Sequence, residues 1–416
     1  MRFSKAAAAA LALAPCAQAA PHEEHGPYPG YGVIAPKVMI VSLFAPEANI
    51  WYKNLPSSGL GDLMQVNITT PGLSMLFPQI HCVADLSICQ MTTGESEINA
   101  ASTVMAAVLS GKFDLRQTYF LIAGIAGVNP KHGALGSVAL AQYTVQVALQ
   151  YEFDAREMPE GWSTGYFGYK TTAPDVEPGN AYGTEVFELS STLRDMAYDF
   201  ASKANLSVDP IASAYGKRYA GFEPASLFAP ATQPPSVVKC DTATSDVYYS
   251  GKLLGEAFEE VVSVWTNGTG KYCMTAQEDS AVLEVLVRVA IEGFVDFSRI
   301  VLMRTGSDYD RPPPNMTAFE NLRVAKPNGY GIAVENIYLA GVEIVRGILE
   351  GWHRTFHRGV RPANYVGDIF GSLGGEPDFG HGSTTNGTGY RPRGCSVGQV
   401  HRRAVSSGMG RKAGYV

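Results

Sequence analysis

The run Val38-Met39-Ile40-Val41-Ser42-Leu43-Phe44 constrains this chain more than any other stretch, since six of its seven residues are apolar and nothing in it alternates. A strand without polar alternation is buried on both faces, so it needs cover above and below, as in a largely parallel sheet packed between helices. Pro46 then opens a helix at a favoured first-turn position, with Glu47 beside the positive N-terminal end.

The same alternation of strand, turn and helix continues. Ser87 to Met91 reads as a strand, Thr92 to Ser96 as a turn, and Glu97 to about Leu109 as a helix of small residues. Tyr119 to Ala123 is a third strand, ending in Gly124-Ile125-Ala126-Gly127, and Arg299 to Met303 is another buried one. Val138 to Glu152 suits one or two long strands, and Gly161 to Gly183, rich in Gly, Tyr and Pro, a surface insertion. Helices are expected near Glu188 to Ala204, Gly251 to Thr266 and Gly331 to Trp352, and over Glu278 to Glu292, where Val282, Val285, Leu286 and Val289 share one face. This is an α/β pattern.

The ends read differently. Met1-Arg2-Phe3-Ser4-Lys5, the apolar Ala6 to Pro15 and Ala17-Gln18-Ala19 have the order of a secretory signal, so residues 1–20 are expected to be removed and the protein to lie outside the cell or at its surface. Residues 21–36 form an arm, 37–381 one domain, and 382–416 a disordered tail with six Arg or Lys and no acid. Between the first 20 residues and the tail the balance is 24 basic against 39 acidic. That field opposes nucleic-acid binding. No other run reaches the roughly 18 uncharged apolar residues of a membrane-spanning helix; Ala281 to Phe297 is broken by Glu284, Arg288, Glu292 and Asp296. In an oxidising compartment Cys82 with Cys89 and Cys240 with Cys273 are the natural pairs, although three connectivities are open. Sequons at Asn67, Asn205, Asn267, Asn315 and Asn386 mark expected surface loops.

Familiar cofactor motifs are missing: there is no P-loop and no zinc spacing among the cysteines. His22-Glu23-Glu24-His25 falls one residue short of a metalloprotease spacing, and His353 with His357 lacks a third ligand, so no metal or other cofactor is expected. What stands out is acidic residues at strand ends, where open α/β sheets keep their sites: Glu47, Glu278 and Asp308. Each alone fits helix capping or dipole pairing. Together they suggest chemistry.

In order along the chain, Lys37 to Val41 leading to Pro46-Glu47, Gly94-x-x-x-Ile98-Asn99-Ala100-Ala101, Gly124 to Gly127, Gln277 to Ala281 and Arg304 to Asp308 resemble the nucleoside phosphorylase and nucleosidase superfamily. Phe44-Ala45-Pro46-Glu47-Ala48, Thr93 to Asn99 and Thr244 to Tyr249 resemble, more closely, the secreted purine nucleoside permease family. The resemblance implies a three-layer α/β/α sandwich with a mixed central sheet and a purine nucleoside at its strand ends. It also implies Glu278 on the ribose hydroxyls, Tyr248 stacked on the base with the Val247 backbone at its edge, and Glu47 where nucleosidases keep a water-activating glutamate. Phosphorylases carry a basic phosphate loop there, and no Arg or Lys lies between Val38 and Tyr52. Cleaving the glycosidic bond leaves negative charge on the base, so a proton donor is needed at N7. Asp308 is the candidate, with Arg304 expected to orient it or its loop. Gly124 and Gly127 would let backbone approach the ligand. The expected function is hydrolysis of purine nucleosides; the alternatives are a binding protein that feeds a separate membrane transporter, and a phosphorylase. A homo-oligomer is left open.

Overall fold

The computed structural model describes residues 32–377. Its centre is the strand Tyr119–Val128, whose first half lies parallel to Val38–Ser42 on one edge. Its other edge lies parallel to Ile300–Tyr309 along nearly its whole length. Val38–Ser42 in turn pairs parallel with Ile88–Thr92, and antiparallel strands Gln79–Cys82 and Val66–Thr69 extend that side. Beyond the centre, Tyr272–Ala276, Asp241–Thr244, Tyr143–Gln146, Val186–Glu188 and Gly367–Asp368 continue one mixed sheet. Helices cover both faces. Ala45–Asn54, Ser191–Ala201 and Gly329–Glu350 pack on one, and Glu97–Val108 with Asp279–Ile291 on the other.

The unalternating first strand explains this arrangement: Val38 and Ile40 enter the core under the first group of helices, and Met39 and Val41 the core under the second. All five residues of Val38–Ser42 are buried. At about 25 cal/mol per Å² of apolar surface, such doubly covered strands hold the layers together.

Two strands outrun their expected ends. Tyr119–Val128 continues through Gly124-Ile125-Ala126-Gly127, and Ile300–Tyr309 through Arg304 to Tyr309, so Asp308 sits inside a strand and not after one. Mutual pairing supplies the backbone hydrogen bonds that local sequence did not advertise. Val138 to Glu152 forms three short strands where one or two long ones were expected. Near Glu188 a strand, Val186–Glu188, precedes the helix, which starts at Ser191 with Ser190 as its cap. The Gly161 to Gly183 segment adds the small hairpin strand Tyr166–Phe167, paired with Tyr151–Glu152.

Disulfides join Cys82 to Cys89 and Cys240 to Cys273. Asn67, Asn205, Asn267 and Asn315 are exposed, although Asn67 lies on a strand and not in a loop. Among the described residues no helix is long and apolar enough to cross a membrane. The expected signal segment, His22 and His25, Cys16, Cys395, Asn386 and the basic tail lie outside the described residues.

Candidate active site

The central strand creates the site by having two different neighbours on one edge. Val38–Ser42 accompanies it only as far as Ile122, and at its far end Val128 pairs with Met274 of the antiparallel strand Tyr272–Ala276. These two neighbours approach from opposite directions, so their C-terminal ends face each other across Ile125 to Gly127. A cavity of about 700 Å³ opens there. It is lined by Glu47, Glu278, Asp308, Arg304, Tyr248, Val247 and Gly127. Side chains more than two hundred residues apart in the chain thus meet in one place.

Glu47 enters from the first turn of its helix and is buried. One carboxyl oxygen accepts the Leu43 N–H and the other the Ile125 N–H, each at 2.7 Å. Burial pushes its pKa up to about 8, against the opposing pull of Arg304 and the two N–H groups. Gly124 was expected, with Gly127, to let backbone approach the ligand. Gly124 is not among the cavity-lining residues, and a Cβ there would fall 2.7 Å from Arg304 Nη1 and 2.8 Å from Glu47 Oε1. The missing side chain makes room for Arg304, Glu47 and Leu43. Gly127 does line the cavity, and its N–H donates to Thr275 Oγ1 at 2.7 Å.

Arg304 also departs from expectation. Its guanidinium turns to Asp279, to Glu278 Oε2 at 3.0 Å and to the Ile125 carbonyl at 2.9 Å. It therefore orients Glu278, not Asp308. A buried guanidinium held by two carboxylates and a carbonyl is a satisfied network whose removal would strand buried charge. Glu278 accepts a second hydrogen bond at its other oxygen, from the Ser96 N–H at 3.1 Å.

Asp308 owes its aim to an irregularity. The register between Ile300–Tyr309 and the central strand shifts between Gly306 and Asp308, so that Asp308 stands opposite Gly127. Bulges of this kind redirect a side chain. Burial, with Asp310 nearby, raises the Asp308 pKa. Ser307 Oγ lies 3.0 Å from the Ala126 carbonyl and 2.9 Å from Asp308 Oδ1. A hydroxyl has one proton, so a Ser307 that donates to Ala126 has its oxygen free to accept from a protonated Asp308. The site accommodates the acid form.

Tyr248, expected to stack on a base, lies at the cavity mouth with its hydroxyl donating to Asp308 Oδ2 at 2.9 Å. Val247 is beside it, 69% exposed, with its N–H on Ser245 Oγ. Sequence reading missed Asp279, Ser96 and Ser307. Asp279 and Ser307 adjoin the residues singled out, but only the fold shows which way they face. His353 and His357 are exposed at the end of the last long helix, and among the described residues no group of three or more His, Cys, Asp or Glu is placed to hold a metal.

Comparison with solved structures returns a 5′-methylthioadenosine/S-adenosylhomocysteine nucleosidase from Helicobacter pylori, at 12% identity and a TM-score of 0.43 over 76% of this chain and 98% of that one. Futalosine hydrolase of the same organism gives 13% and 0.43, over 76% and 97%. Sequence comparison is far stronger. A purine nucleoside permease of Candida albicans is 43% identical over 356 residues, 84% of each chain. A probable purine nucleoside permease of Schizosaccharomyces pombe is 40% identical over 77% of this chain and 91% of its own. The model of the purine nucleoside permease family matches residues 35–361, which include every residue of the cavity described above. The chain belongs to the purine nucleoside permease family.

Proposed function

We propose that this protein is a secreted hydrolase that cleaves the N-glycosidic bond of purine nucleosides with water, releasing free base and ribose outside the cell. The observation that carries the reading is the convergence of Glu47, Glu278 and Asp308 on one cavity, each in a different hydrogen-bonding environment. The C1′–N9 bond breaks with its electron pair passing to the base, and Asp308 gives its proton to N7 so that the base departs neutral. Water adds to C1′ and loses its proton to Glu47. Glu278 holds the ribose hydroxyls, with Arg304 fixing one of its oxygens. Positive charge on the sugar is met by carboxylates, the logic of glycoside hydrolysis. Tyr248 and Val247 flank the base at the mouth. The reaction requires no cofactor.

Phosphorolysis is less well supported. Arg304 and Lys326 are the cationic residues lining the cavity; the first is committed to Glu278 and Asp279, and the second is exposed at the rim. A second reading, a nucleoside-binding protein that serves a separate membrane transporter, is favoured by the permease names of the relatives. Incubation with inosine or adenosine in phosphate-free buffer separates the readings. Release of free base supports the hydrolase, binding without release supports the transport protein, and release only after phosphate is added overturns both.

A further inference from the structure

Ser96 precedes the helix Glu97–Val108 with φ 79° and ψ 157°, a backbone conformation that is essentially restricted to glycine. Its side chain does not cap the helix. A residue with a Cβ stays in such a conformation only when its surroundings hold it there, and both holds here come from distant segments. Asp246 Oδ1 accepts from Ser96 Oγ and from the Glu97 N–H, each at 2.9 Å. Asp246 is itself fixed through its carbonyl, which accepts from Gln277 Nε2 at 2.9 Å. Held this way, the Ser96 N–H reaches Glu278 Oε1, while Arg304 holds Oε2.

We infer that Ser96 is a positioning residue for Glu278: Asp246 clamps it in the strained conformation, and the strain delivers its N–H to the carboxylate oxygen that Arg304 leaves. The inference rests on the proposed assignment of Glu278 to the ribose hydroxyls. With one oxygen on a guanidinium and the other on a backbone N–H, the Glu278 carboxylate cannot rotate, and its remaining lone pairs present a fixed pair of acceptors to the sugar. A carboxylate held on one side only would swing about its last torsion and discriminate ribose poorly.

The test is calorimetric binding of inosine and 2′-deoxyinosine to proteins that all carry Asp308→Asn, so that the ligands stay intact while sugar discrimination is read as a ratio. Hydrogen bonds to a charged group are strong enough that the parent should prefer inosine by about tenfold or more. Ser96→Ala keeps the backbone penalty but loses the Oγ bond to Asp246, leaving the Glu97 N–H alone on that carboxylate, and the preference should shrink to within about threefold. Ser96→Gly adopts the same backbone angles without cost and should retain most of the preference. A purely structural role would change the melting temperature of both variants without separating the two ligands. Full preference in Ser96→Ala overturns the inference while leaving the proposed function standing, and so does loss of preference in Ser96→Gly as well. Equal binding of the two nucleosides by the parent overturns the assignment of Glu278 and the inference with it.

Discussion

A carboxylic acid buried away from solvent differs from one in water, and Glu47 makes the difference measurable. Its proton affinity in the folded protein exceeds that of an ordinary glutamate, so its ionisation opposes folding: the stability it contributes is complete below about pH 4.5 and lost as pH rises through about 8. Glu47→Gln places an NH₂ against either the Leu43 or the Ile125 N–H, at a cost of about 1–3 kcal/mol. Denaturant unfolding should therefore show the variant less stable than the parent at pH 5, with the gap closing or reversing by pH 9. In the parent, kcat/KM for inosine should climb as pH approaches about 8, because only the ionised Glu47 can accept a proton from water. Asp308→Asn keeps the shape and removes the donor. It should lower turnover by about two decades or more with little change in melting temperature.

Elements were legible where burial left a pattern, as in Val38–Ser42, the helix from Ala45 and the long helix Gly329–Glu350. They were illegible where pairing alone made the structure. Thr305, Gly306 and Ser307 have no strand pattern of their own, yet ladder bonds to the central strand carry Ile300–Tyr309 through them. Glu278 was expected at a strand end, but the strand that delivers it, Tyr272–Ala276, was given no bounds, because five residues with a threonine and a cysteine show no clear period. The candidate carboxylates were found by their position near strand ends, whereas the partners of Arg304 depend on which elements become neighbours. Gly124 shows the point from the other side: its constraint comes from Arg304, Glu47 and Leu43, none of them local. Gly124→Ala should cost about 1–3 kcal/mol in unfolding measurements through forced displacement of packed atoms. Turnover should fall by more than the stability loss explains, because Glu47 and Arg304 are what it displaces.

At the scale of the molecule, the acidic excess noted in the sequence leaves the cavity interior without an uncommitted cation among the described residues: Arg304 is held by Glu278 and Asp279, Asp310 is paired with Arg311, and Lys326 lies exposed at the rim. Such a field selects against anionic ligands. Inosine 5′-monophosphate should show a kcat/KM at least about tenfold below that of inosine at low ionic strength, with the gap narrowing as salt screens the rim. The central claim is spatial, and one measurement addresses it directly: a crystal structure of the Asp308→Asn protein with inosine bound. The account predicts ribose hydroxyls on Glu278, purine N7 within hydrogen-bonding distance of residue 308, and the Glu47 carboxyl facing C1′ from the side opposite the base. Inosine seated elsewhere, or with its sugar turned away from Glu47 and Glu278, would contradict it.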